Sequence, residues 1–146
     1  MDGGSVNNLV FPLLFIAFPA FWLFVVWLIS AMSGWQNLAR HYENKNHEES
    51  PNVQLRWQSL SMGYIRFFAA NYQNVVNVGS DGTYLYLSVM FLFRIGHTPL
   101  KIPFEDITLS DAKLNFFNTK CAIIKKTPAV KIYLNDGLVK KLNKVF

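Results

Sequence analysis

Val10 to Ser30 is an unbroken apolar stretch, VFPLLFIAFPAFWLFVVWLIS, without one charged side chain. A helix rises about 1.5 Å per residue, so the stretch is roughly 30 Å long, the thickness of a bilayer's hydrocarbon core. It is apolar on every side, which argues against a half-buried helix of a soluble core. A cleaved signal peptide needs a basic leader and a shorter apolar region, whereas the leader here is MDGGSVNNL, with one acid and no base. Ala31-Met32-Ser33 has the small-x-small form of a cleavage site, so cleavage stays open beside the favoured reading, a retained transmembrane helix. The chain then divides into an extracytoplasmic tail (1–9), a transmembrane helix (10–32), a juxtamembrane segment (33–52) and one small domain (53–146).

Charge sets the expected orientation. No Lys or Arg precedes the span, Arg40 and Lys45 follow it closely, and all 14 basic residues lie C-terminal to it. The positive-inside rule places the domain in the cytoplasm. Between Lys113 and Phe146 there are eight lysines and one acid, Asp136, so the excess charge gathers at the C-terminal end. Lys125, Lys126, Lys140, Lys141 and Lys144 form a candidate patch for an anionic partner, and for a tethered domain the nearest is the lipid leaflet. The alternative is a solvated face kept for solubility. No nucleic acid is expected, since the chain lacks an arginine-rich run or nucleic-acid motif.

Two features of the span bear on its packing. Pro19 removes a backbone hydrogen bond and is expected to kink the helix, whereas Pro12 is close enough to the start to be harmless. The span is also rich in Phe and Trp, which serve either as lipid-facing bulk or as a packing surface for another membrane subunit.

Trp35, Leu38, Ala39 and Tyr42 recur at helical spacing opposite Gln36, Asn37, Arg40 and His41, which predicts a short amphipathic helix after a Ser33-Gly34 bend. Trp35, Arg40 and Tyr42 are candidate headgroup contacts; equally, the apolar face can pack on the domain. Asn44–Asn52 reads as a polar linker. From Val53 the period changes to two. Strands are expected near Val53–Leu60, Tyr64–Phe68, Tyr72–Val78, Thr83–Phe93, Leu100–Phe104, Ile107–Leu109, Cys121–Lys125 and Val130–Leu134. Gly79-Ser80-Asp81-Gly82 is a turn signal, and Thr127-Pro128 is the expected tip of the last hairpin. In Thr83–Phe93 the odd positions from Leu85 to Phe93 should face the core, and the even face should meet a helix, a partner or lipid. Leu138, Val139, Leu142 and Val145 return to helical spacing, with Asn135 as N-cap and Asp136 in the first turn. The expected fold is a transmembrane helix plus a mainly-β domain of about seven antiparallel strands, closed by a short C-terminal helix.

Several segments carry a resemblance: Ser33-Gly34-Trp35, Leu38-Ala39, Tyr42, Gly82–Ser88, Phe93-Arg94, His97-Thr98-Pro99-Leu100 and Ile102-Pro103-Phe104-Glu105-Asp106-Ile107. Over about half the chain they resemble an uncharacterised family of small bacterial single-pass membrane proteins. The last segment is similar to the Ile-Pro-Tyr/Trp-x-x-Ile signature of bacterial PH-like and GRAM-like domains. The resemblance implies a strand-rich barrel with a C-terminal helix, located in the bacterial inner membrane, and a binding or scaffolding role rather than a reaction.

No catalytic constellation is read from the sequence. His41 and His47 make at best a weak surface metal site with Glu43 or Glu48. His97, in the 94–99 turn, lacks a nucleophile motif and is best satisfied by a backbone carbonyl; a hydrolase using His97 and Asp106 is the least favoured class. Glu105-Asp106 has no carboxylate partner at catalytic spacing. Cys121 excludes an intramolecular disulfide and suits a buried strand position. No enzyme activity, metal or cofactor is therefore expected. The expected function is a membrane-anchored PH-like module that binds protein partners, with its lysine-rich end touching anionic lipid. The alternative is a structural accessory subunit of a larger integral membrane complex.

Overall fold

The computed structural model describes residues 3–46, 53–65, 69–114 and 117–143. Helix α1 (Gly3–Ser33) is continuous and holds both Pro12 and Pro19 within it. Its Asn7–Ser33 portion is long and apolar enough to cross a membrane. Most of its surface is open: Phe11, Phe15, Phe18 and Phe21 are all exposed. Among its described side chains, one stripe near the C-terminal end becomes fully covered. Trp22, Val26, Ser30 and Ser33 lie at i, i+4, i+8 and i+11, one helical face. Exposure along that face falls from 37% at Trp22 to 1% at Val26 and 0% at both serines.

Gly34 ends α1. Its φ of +87° is a left-handed conformation, and a Cβ there would sit 2.6 Å from Val130 Cγ2. Only glycine meets both conditions without strain. The Gly34 carbonyl accepts from Leu38 N–H at 3.1 Å and starts α2 (Trp35–Tyr42). The apolar face of α2 turns inward: Trp35 and Leu38 are 0% exposed and Tyr42 is 4% exposed. Burying Leu38 alone is worth about 1.5–3 kcal/mol. Trp35 and Tyr42 are thus core residues of the domain rather than headgroup contacts, and Arg40 is exposed on the opposite face.

The sheet comprises β1 (Val53–Gly63), β2 (Ala70–Ser80), β3 (Tyr84–Val89), β4 (Leu100–Pro103), β5 (Ile107–Leu114), β6 (Phe117–Ile124) and β7 (Thr127–Asn135). All neighbours are antiparallel, in the order β4-β3-β2-β1-β7-β6-β5. Strand β1 is central and pairs through Leu60, Ser61 and Met62 with both β2 and β7. The concave core joins Leu60, Met62, Val76, Leu87, Ile102, Ile124 and Ile132 with Trp35 and Leu38 of α2. Helix α3 (Asp136–Asn143) buries Leu138, Val139 and Leu142 in the same core. Asn135 caps it as expected, its Oδ1 accepting from Leu138 N–H at 2.7 Å.

Three strand expectations need correction. Tyr64 and Ile65 form an exposed bend after β1 rather than a strand, and the remainder of Tyr64–Phe68 lies outside the described residues. Strand β3 stops at Val89, where its pairing with β2 ends at Val76; Phe91–Phe93 is a 3-10 turn, and Phe91 is 71% exposed. The last hairpin turns at Lys125-Lys126, two residues before the expected tip. The even face of β3 is covered from within the sheet. Lys101 Nζ lies 4.5 Å from the Tyr84 ring centroid, and the Tyr86 hydroxyl donates to Asp81 Oδ2 at 2.8 Å. Asp81 also accepts from the N–H groups of Thr83 and Tyr84, which holds the 79–82 turn in place.

Candidate functional site

The most developed polar site is a sealed junction between the foot of α1 and the sheet. Ser30 and Ser33 come from the last turn of α1, Trp35 opens α2, Tyr72 stands on β2, and Gly96 and His97 lie in the loop between β3 and β4. Ser30, Ser33 and Trp35 are 0% exposed and His97 2%. Buried polar groups of this kind survive only when hydrogen-bonded.

His97 fixes the arrangement. Its Nδ1 faces the Ile95 carbonyl at 3.1 Å, with the Phe93 carbonyl alongside. Carbonyls only accept, so Nδ1 carries the hydrogen. Burial pushes the His97 pKa below its ordinary value, although both carbonyls favour the charged form. Nε2 lies 2.9 Å from the Tyr72 hydroxyl, which lies 2.8 Å from Ser33 Oγ. Tyr72 has a single proton for these two contacts. With His97 neutral, Tyr72 donates to Nε2 and Ser33 donates to Tyr72. With His97 protonated the chain reverses: Nε2–H donates to Tyr72, Tyr72 to Ser33, and Ser33 to the Ser30 carbonyl at 3.2 Å. Burial also pushes the Tyr72 pKa up to about 12, so the phenol keeps its proton.

Close packing completes the joint. The rings of Trp35, Tyr72 and His97 meet pairwise at 5.2 to 5.8 Å. Trp35 Nε1–H donates to the Thr98 carbonyl at 2.8 Å, and Ser30 Oγ donates to the Gly96 carbonyl. Gly96 has φ +73°, and a Cβ there would lie 2.7 Å from Ser30 Oγ. The loop can approach α1 this closely only through a glycine.

A second polar contact holds the far end of α2. The Tyr42 hydroxyl donates to Asp106 Oδ2 at 2.8 Å and accepts from Lys126 N–H at 3.2 Å. Burial, then the Asp106 acceptor, push its pKa up to about 12. Lys125 N–H donates to the Asp106 carbonyl at 2.9 Å, so this contact positions the β6–β7 turn with its two exposed lysines. His97 and Asp106 therefore serve different tyrosines and form no dyad with each other.

The lysine candidates are split between two elements. Lys125 and Lys126 sit in the β6–β7 turn, and Lys140 and Lys141 are exposed on α3; Lys144 lies outside the described residues. Lys120 is engaged with Asp111 on the neighbouring strand. His41 is exposed and His47 lies outside the described residues; among those described, no group of three His, Cys, Asp or Glu could hold a metal. Cys121 is buried in β6, where burial raises its thiol pKa. An apolar void of about 20 Å³ lies under α3 beside Val139 and Leu142, and an open groove of about 420 Å³ runs along Asp111, Lys120 and Asp136. Neither is lined by His97 or Tyr72.

Sequence reasoning placed His97 against a carbonyl and missed its partners. Ser30 and Ser33 carried a usable signal: two hydroxyls three residues apart at the base of an apolar span, in line with Trp22. Tyr72 carried none, because one polar ring in a strand looks like any other. Comparisons with protein-family models, with curated proteins and with solved structures find no match.

Proposed function

We propose that this chain is a membrane-anchored PH-like binding and scaffolding module, facing the cytoplasm and held by its own anchor in a fixed pose. The observation that carries this reading is the buried junction of Ser30, Ser33, Tyr72 and His97. A simple tether has no need of a hydrogen-bonded joint, whereas a module that must present one surface at a set height and angle does. A curled seven-strand sheet with a C-terminal helix packed into its core supports the PH-like assignment. The charge asymmetry about α1 supports the cytoplasmic orientation.

Two surfaces are available to partners. Lys125, Lys126, Lys140 and Lys141 suit an anionic leaflet. Trp57 suits a protein: it is 58% exposed, with φ +61°, at a register irregularity in β1. A large aromatic held in a left-handed conformation is a strained arrangement of the kind kept at binding sites, and aromatic side chains are frequent interface anchors. Purification of the full chain in mild detergent should recover a stoichiometric protein partner that Trp57→Ala loses. A lone monomer from both forms contradicts the reading. For the lysines, amine acetylation of the full chain in nanodiscs should slow when anionic lipid replaces zwitterionic lipid and recover with added salt. Equal rates remove the lipid contact.

The aromatic outer surface of α1 favours a second reading, an accessory subunit of a larger integral membrane complex. Phe24 and Trp27 are exposed side by side, their ring centroids 6.3 Å apart. In that case Phe24→Leu with Trp27→Leu, rather than Trp57→Ala, releases the partner.

A further inference from the structure

The loop between β3 and β4 does more than meet the foot of α1. It climbs along it. Trp22 Nε1–H donates to the Leu92 carbonyl at 3.2 Å, and the Trp22 and Phe93 rings are 5.3 Å apart. Trp22 lies eight residues inside the last residue of the apolar run, roughly 12 Å along the helix. Phe91, Leu92 and Ile95 are 71%, 49% and 43% exposed in this raised segment. On a surface bathed in water such a tip is unfavourable.

We infer that residues 90–96 form a wedge immersed in the bilayer beside α1, with Phe91, Leu92 and Ile95 against the acyl chains. Hydrocarbon requires of non-helical chain that its polar groups find partners within the protein. The carbonyls here meet that condition, and of the N–H groups those of Met90, Phe93 and Arg94 are paired, Met90 with the Val75 carbonyl. Each carbonyl from 90 to 96 has a partner. Met90 and Phe91 accept from the N–H groups of Phe93 and Arg94, and Leu92 accepts from the Trp22 indole. Phe93 and Ile95 face the His97 ring, Arg94 accepts from His97 N–H, and Gly96 accepts from Ser30 Oγ. The Trp22 indole gains as much, since its N–H would otherwise be unpaired within the apolar run. Arg94 is exposed and long enough to carry its charge back to the headgroups. A second apolar tip, Tyr64 and Ile65, is exposed close to Gly34, placing another greasy connection at the same end of the domain.

The wedge rests on the reading of α1 as a bilayer-crossing helix, and the test separates the two. Single cysteines are introduced as Phe91→Cys, Ile95→Cys, Leu14→Cys and Glu105→Cys in a Cys121→Ala background. They are spin-labelled in the full chain and reconstituted in vesicles, and collision rates with oxygen and with a water-soluble nickel chelate are compared. The ratio of oxygen to nickel collisions should be several-fold higher at Phe91, Ile95 and Leu14 than at Glu105. A ratio at Phe91 and Ile95 equal to that at Glu105, with Leu14 still high, overturns the wedge and leaves the span. A low ratio at Leu14 as well overturns both. Low rates with both reagents at Phe91 and Ile95 mean that protein covers the segment, and also overturn the wedge.

Discussion

Tyr72 is the residue on which the junction turns, because its one hydroxyl joins His97 on the sheet side to Ser33 on the α1 side. Tyr72→Phe keeps the ring and leaves two buried polar atoms without that partner, a loss of about 1–3 kcal/mol. The thermal midpoint of the full chain in detergent should fall accordingly, and an unchanged midpoint contradicts the joint. His97 adds a pH dependence. Its folded pKa lies below its unfolded value of about 6.5, so below that pH the unfolded chain binds more protons than the folded one. Stability should decline as pH falls below about 6.5, and His97→Gln should flatten that part of the profile. The same slope in the variant would assign the effect to other groups. The carbonyl contact of His97 was legible because a histidine in a tight turn has carbonyls close by. Its contact with Tyr72 joins residues 25 apart in sequence, and no local pattern encodes such a pairing.

Among the elements, α2 shows most clearly where sequence reasoning stops. Its amphipathic face was legible from four residues, but headgroups and a β-sheet core demand the same apolar stripe. What decides between them is Gly34, whose left-handed turn swings the stripe against Val130. Gly34→Ala should therefore destabilise the chain by about 1–3 kcal/mol through strain and overpacking. Gly137→Ala is the contrasting control. It lies in α3, and its nearest contact would be Asn135 Oδ1 at an ordinary 3.4 Å. It should be neutral or stabilise by about 0.5–1 kcal/mol. Paired denaturation curves check both, and equal effects would refute this account of Gly34. Strand β3 gives the complementary lesson. Its alternation continues through Phe93, yet β3 ends at Val89: Phe93 packs against both the core and the Trp22 ring of α1, while Phe91 and Leu92 form the exposed tip. Periodicity reports that a residue avoids water, without saying what it meets instead.

For the whole molecule, the apolar span, the mainly-β character and the closing helix were all readable from composition, period and capping residues. The attachment of span to sheet was not, since it is built from isolated side chains on four different elements. That attachment is the centre of the account: α1 and the sheet domain are one body. Double electron–electron resonance between spin labels at Leu14→Cys and Glu105→Cys, in the full chain with Cys121→Ala in nanodiscs, measures it directly. The account predicts one narrow distance distribution that broadens in Tyr72→Phe. A broad distribution in the parent chain, as a domain swinging on a free linker gives, would contradict it.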